Sequence, residues 1–372
     1  MVAAGAPRGR RASPGTGISL AYIMGDIRAE WGNAAMSFVW KRLLGTLPSL
    51  AGVVVVTFLL SHALPGDPAA YFAGPAANAA SVAEVRAKLG LDRSLPVQFA
   101  RYLDDLAQGN LGNSLTTGQP VLTDLAQRLP ASLELTLFAL IFAVGVAIPM
   151  GVLAATRPDS AIDHLCRASI SVAAAFPTFF VGLLAVYVFY YLLDLAPEPV
   201  GRLNDILYAV PPRITGAYTI DSLLAGDWKV FRAALAQLIL PSVSLGLFAL
   251  APIARITRAA MLQALGSDFI RTARASGLPR RKVLMTYAFR NALLPVSSVL
   301  GMVFSFLLGA NVLIEQVYGW QGVGGYAVRA VLASDYAAVQ GFVLMMAVLY
   351  VLLNLIVDLL GTVIDPRVRF EA

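Results

Sequence analysis

Side chains suited to chemistry are few and scattered in this sequence. Its 372 residues include two histidines, His62 and His164, and one cysteine, Cys166. The histidines lie far apart, near opposite ends of predicted helices, so neither is placed to share a metal ion with the other. One cysteine allows neither an intrachain disulfide nor a thiolate metal cluster. An enzyme working inside a membrane needs a Ser/His pair, two intramembrane aspartates or a histidine cluster, and the scattered histidines and unpaired acids argue against it. Glycines crowd the stretch Gln316–Gly325. No G-x-x-x-x-G-K-[ST] is present, and Ala327 stands where a G-x-G-x-x-G starting at Gly322 needs its last glycine. No catalytic, cofactor-binding or metal-ligating set emerges, and no motif in the chain binds ATP.

One segment is written for contact instead of catalysis. Ser267, Asp268, Phe269, Ile270, Arg271, Thr272, Ala273, Arg274, Ala275, Ser276 and Gly277 read as a short helix with both of its stops. Ser267 is a good N-cap, and Asp268 sits at the positive end of the helix dipole. Gly277 is placed for the left-handed position after the helix, and Pro279 blocks extension. Phe269, Ile270 and Ala273 share one face, while Arg271 and Arg274 share another. So short a helix is marginal alone. It needs lipid headgroups or the groove of a soluble partner, and composition does not choose between them.

The elements that position this helix are membrane spans. Charged residues make up 13% of the chain and hydrophobic ones 58%, against about 25% charged in a soluble domain. Six apolar stretches, near 43–63, 132–154, 168–192, 236–256, 292–314 and 338–361, are each long enough for a core of roughly 30 Å. The segments between them differ in charge. The N-terminal segment has six basic residues against Asp26 and Glu30, and 257–291 has seven against Asp268 alone. Segments 64–131 and 193–235 are nearly balanced, with five basic to six acidic and four to five. Short positive segments stay cytoplasmic, so the N-terminus, 257–291 and the tail with Arg367 and Arg369 are expected inside. Basic residues that flank spans without interleaved aromatics argue against nucleic acid.

Residues 1–35 read as an extension, disordered or lying on the membrane surface, and Met24 and Met36 are alternative starts to Met1. Residues 36–63 hold the first span, which Leu64-Pro65-Gly66-Asp67-Pro68 ends. The region 64–131 carries three helical candidates: Ser81–Lys88, with Ser81 and Glu84 as a capping box, Pro96–Leu106, and Val121–Arg128. Residues 132–372 form the core, with five spans. Segment 193–235 shows no long periodic element, and 316–337 could dip into the bilayer as a re-entrant segment.

Asp268–Gly277 followed by Arg290-Asn291-Ala292-Leu293-Leu294-Pro295 resembles the coupling motif of binding-protein-dependent ABC transporter permeases, closest to the dipeptide/oligopeptide/nickel branch. Other stretches resemble that branch in the same order: Leu64–Pro68, Lys88–Arg93, Gly109–Ser114, Arg128-Leu129-Pro130 with Glu134, Asp335-Tyr336 with Gln340-Gly341, and Asp365-Pro366-Arg367. The resemblance covers nearly all of 36–372. The chain departs from the broad permease pattern: Arg271 takes the Glu position, Thr272 the first Ala, and Leu294-Pro295 arrives five residues late. The branch shares these departures, which put in doubt any salt bridge that needs the Glu.

The resemblance implies an all-α membrane fold of six transmembrane helices, the type I ABC importer permease fold, in the cell inner membrane with both termini cytoplasmic. It implies a second permease subunit and two cytoplasmic ATPases, which bind ATP and Mg and receive helix 268–276. It also implies a solute-binding protein that delivers a peptide, nickel, a nickel chelate or a related polar solute. A secondary transporter is the rival reading, but it usually needs ionisable residues near the bilayer midplane, where these stretches are almost free of charge. Ser171, Thr178, Tyr187, Ser242, Ser244, Ser297, Ser298 and Ser305 would suit a polar pathway, although helix packing also selects small residues.

Overall fold

The structure is a computed structural model and describes residues 44–59, 62, 68–74 and 77–364. Expectations for 1–35, for the alternative starts, for Leu64–Asp67 and for Asp365–Arg367 lie outside the described residues. The chain divides into two compact units, Met1–Ser49 and Leu50–Ala372. Of the first, only residues 44–49 are described, and they are helical. Among the described residues there is no strand, and one isolated antiparallel bridge joins Asn113 to Pro120.

Helix α1, Leu44–Leu59, lies within the first apolar stretch. Helices α2 (Pro68–Ala73), α3 (Ala79–Leu89) and α4 (Leu95–Ala107) follow. The expected capping box of α3 is replaced. Asn78 caps the helix by accepting the Ser81 N–H at 2.9 Å, and Glu84 pairs with Lys88 instead. His62 is structural here: it bonds the Phe58 carbonyl and Gln98, and its ring lies against Phe58.

The third candidate, Val121–Arg128, is the opening of α5 (Val121–Thr156), which runs 36 residues through Pro130 into the second apolar stretch. A proline inside a helix removes the bond to the carbonyl four residues back. That carbonyl, Ala126 O, accepts from Arg213 at 3.3 Å, so the helix passes Pro130 with a replacement donor.

The third stretch is not one straight helix. Helices α6 (Ala161–Ala175) and α7 (Thr178–Leu192) meet at 96°. Phe176 is extended at φ −103°, ψ 140°, as a residue before proline is driven to be, and Pro177 completes the break. The end of α7, Val186–Leu192, winds as a π-helix. Next come α8 (Tyr218–Leu224), α9 (Trp228–Leu265), α10 (Asp268–Ala275), α11 (Arg280–Val317, π-helical over Val283–Phe289), α12 (Val323–Leu332) and α13 (Tyr336–Ile364). The segment 193–235 thus holds α8 and the first turns of α9. Among the described residues, four helices, α5, α9, α11 and α13, are long and apolar enough to cross a membrane, and α6 with α7 makes five.

The core lies where α5, α9 and α11 meet, around Leu135, Leu245, Ile253 and Leu307. A Cβ on Gly151 would come within 2.8 Å of the Ala254 carbonyl, and one on Gly246 within 2.7 Å of the Ala139 carbonyl. Position therefore rises together along α5 and α9. The two helices are parallel and approach at glycines until backbone touches side chain. Helix α11 returns antiparallel, with Glu315 beside Ser132. The bundle has two ends: one carries α10, the other the long loops.

Candidate functional site

At one end α10 is built by its own sequence. Gly277 sits at φ +73°, where glycine has no Cβ penalty. Its N–H donates to Arg274 O at 3.0 Å, and the Leu278 N–H to Ala273 O at 3.3 Å, the paired bonds of a Schellman ending. Pro279, with ψ 142°, then starts α11. The N-terminus differs from expectation. Ser267 has cap geometry, but its hydroxyl donates back to Ala264 O and makes no cap bond.

The helix faces also differ from expectation. Ile270 is fully buried and Ala273 nearly so, packed with Met261, Val283, Ala288 and Ala292 of this same chain. They cannot enter a partner's groove, because they fasten α10 to the ends of α9 and α11. The outward face is Asp268, Phe269, Arg271, Thr272, Arg274, Ala275 and Ser276. Arg271 pairs with Asp268 at 3.4 Å in full exposure, and Phe269 stands 44% exposed. Beside α10 a cavity of about 370 Å³ is lined by Thr156, Leu265, Arg274, Arg280, Val283 and Leu284. Farther up the bundle, Arg258 grips the buried Asp163 through two bonds of 2.7 and 2.8 Å. This pins α6 to α9, and the His164 ring meets Arg167 at 2.7 Å nearby.

The other end is held by buried carboxylates that sequence reasoning largely missed. Glu134 accepts from Arg202 at 2.9 Å and from the Thr219 N–H and hydroxyl at 2.9 and 2.6 Å. Arg202 also donates to Gly216 O and lies 3.6 Å over the Tyr218 ring. Glu315 accepts from Ser132, Asn311 and the Gly325 N–H at the start of α12. The helix N-terminus favours an anion there, and a Cβ on Gly322 would overlap the carboxylate. The glycine cluster therefore cradles a carboxylate of its own chain. Asp335 accepts from the Ser114 hydroxyl at 2.6 Å and the Thr116 N–H at 3.1 Å, which brings together two of the stretches singled out in the sequence. Burial opposes ionisation of Asp221, yet donors from Thr215 and the Gly216 N–H hold its carboxyl below the usual range. The signals for this network in the sequence were Glu134, the Gly109–Ser114 and Asp335-Tyr336 stretches and the glycine cluster at 316–325. Arg202, Thr219 and Asn311 stand in no local pattern.

Ser297, Ser298 and Ser305 bond carbonyls of their own helix, and Ser244 meets the Tyr318 hydroxyl at 2.9 Å.

A bundle of long apolar helices with a short, half-docked helix at one end and carboxylate-anchored loops at the other is the architecture of a membrane protein. Residues 147–370 match the binding-protein-dependent transport system inner membrane component family, and residues 35–136 match the N-terminal region of such components. The chain belongs to this family: it is an inner-membrane permease, not an enzyme.

Three relatives illustrate the match. The probable D,D-dipeptide transport system permease protein DdpB of Escherichia coli K12 is 45% identical over 89% of this chain and 97% of its own length. The di/tripeptide transport system permease protein DppB of Pseudomonas aeruginosa is 40% identical over 90% and 99%. The dipeptide transport system permease protein DppB of Alkalihalophilus pseudofirmus is 36% identical over 90% and 100%.

Proposed function

We propose that this chain is the translocation subunit of an ATP-driven importer for peptides or closely related solutes. The peptide permeases named above support the substrate class. In this reading six spans place 64–131, 193–235 and 316–337 outside and 257–291 with both termini inside, as the charge asymmetry favours. A second permease completes the pathway, two ATPases bind ATP and Mg inside, and a solute-binding protein delivers from outside.

The observation that carries the reading is the two-sidedness of α10. Its inner face is fixed to the bundle, while its outer face presents Phe269 beside Thr272 and Ser276. A helix anchored on one face and open on the other transmits a rigid-body push from an attached protein into α9 and α11. ATP can act through it only by binding one arrangement more tightly than the other.

The test separates the two faces. Phe269→Asp should release the ATPase subunits on detergent purification and abolish peptide uptake, with the permease still inserted and its thermal unfolding unchanged. Ala273→Asp should lower stability first, since its carboxylate would be buried unpaired in the chain's own core. Normal uptake by Phe269→Asp, with the ATPases still attached, would remove α10 as their contact.

A further inference from the structure

A cavity of about 220 Å³ opens at the loop end, between the first turns of α5, the loop before α8 and the turn before α12. Its lining is rich in donors: Arg128, Arg202, Arg213, Gln127 and Gln321. The carboxylates near these cations are already engaged. Arg202 gives one amino group to Glu134, and Arg128 pairs with Asp124 at 3.3 Å. Asp221, the acid in the lining, is taken up by Thr215 and Gly216. Among the described residues, five buried side-chain polar atoms lack a partner, and two of them are the Nε–H groups of Arg128 and Arg202. The accessible donors are those of Arg213, Gln127 and Gln321 at the mouth, so the lining offers its hydrogen bonds to an acceptor supplied from elsewhere.

Size and position narrow that acceptor. The cavity is smaller than the roughly 300–1,000 Å³ of pockets that enclose a whole small ligand. Gln127, Arg213 and Gln321 at its rim are exposed. Guanidinium groups favour carboxylates, which accept from two donors at once. We propose that this cavity is the socket for one aspartate or glutamate side chain of the solute-binding protein that docks on the loop end. The inference rests on reading the chain as a binding-protein-dependent permease. Charge complementarity of this kind fixes register and speeds encounter, so the socket would orient the delivering protein over the bundle.

The experiment uses the complete transporter in proteoliposomes with its binding protein. Arg213→Glu and Gln321→Glu each set a negative charge at the mouth. Each should raise the half-saturating concentration of binding protein about tenfold or more, while Arg213→Lys should stay near wild type. A photo-cross-linking residue at Gln127 should capture an acidic segment of the binding protein, and reversing that acid to arginine should restore affinity to Arg213→Glu. Unchanged half-saturation in both charge variants would overturn the socket, as would cross-linking to the second permease. Loss of cross-linking when free peptide is present during irradiation would give the cavity to the transported solute and overturn it too. Absence of binding-protein-dependent uptake by the wild type would overturn the functional reading itself, whereas wild-type uptake with indifferent variants would overturn the socket alone.

Discussion

Replacing Glu134 with glutamine keeps the shape of the side chain and removes its charge. In the native chain this carboxylate receives three hydrogen bonds, one from Arg202 and two from Thr219. Both ends of the ion pair are nearly inaccessible, at 8% for the Arg202 side chain and 3% for Glu134. A glutamine has one oxygen to offer. If that oxygen stays on Thr219, its amide nitrogen meets the Arg202 guanidinium donor to donor. A buried pair broken on one side costs about 3–5 kcal/mol, mostly because a cation is left without compensation. At about 2 °C per kcal/mol for a larger domain, the purified permease should lose roughly 6–10 °C of thermal stability. Adding Arg202→Met removes the stranded cation but leaves the Gly216 carbonyl without its donor, at about 1–3 kcal/mol. The double variant should therefore be more stable than Glu134→Gln alone. The assay is thermal unfolding of the four members of the cycle in one detergent at one scan rate. A Glu134→Gln loss under about 1 kcal/mol, or strictly additive single effects, would show that water reaches the pair and that Glu134 does not anchor the 193–227 segment.

Two further outcomes follow from the same structure. Single cysteines at Ala79 and Ser276, both exposed, in a Cys166→Ala background should label differently with an impermeant thiol reagent on intact cells: Ala79 should react and Ser276 should not, and the reverse pattern would invert the topology. Asp221 has its folded carboxyl held below the usual range, so its contribution is complete above the unfolded value of about 3.9 and disappears as pH falls through the lower folded value. Acid unfolding of the 193–227 segment, followed by limited proteolysis, should accordingly begin below about pH 4. Asp221→Asn should weaken the segment at neutral pH and flatten that acid limb, and identical acid profiles would remove Asp221 from its docking.

What could be read from the sequence was set by how local its causes are. The limits of α10 follow from Gly277 and Pro279, residues that act on their own backbone, and they could be read directly. The side on which Ile270 and Ala273 would be buried could not, because an amphipathic pattern identifies a face without naming what covers it. The passage of α5 through Pro130 depends on Arg213, remote in sequence, filling the place of the missing donor. The same holds for Glu134 with Arg202 and Ser132 with Glu315. Each is a pairing of polar residues from distant segments, and a single sequence carries no periodic trace of such a pairing. The bend between α6 and α7 lay in plain view at Pro177, inside a stretch whose hydropathy read as continuous.

The length of α9 has a mechanical consequence. At 38 residues it measures roughly 57 Å, nearly twice the roughly 30 Å of a bilayer's hydrocarbon layer, and α10 hangs from its foot. It is a lever longer than the barrier it crosses. A tilt of about 5° at the foot would swing the opposite end by roughly 5 Å, about one helical turn. That end adjoins the loop anchored by Thr219 and Asp221, so under the proposed coupling, and if α9 stays stiff through Pro241 and Pro252, a modest push below would be delivered above as a displacement large enough to pull neighbouring loops away from each other.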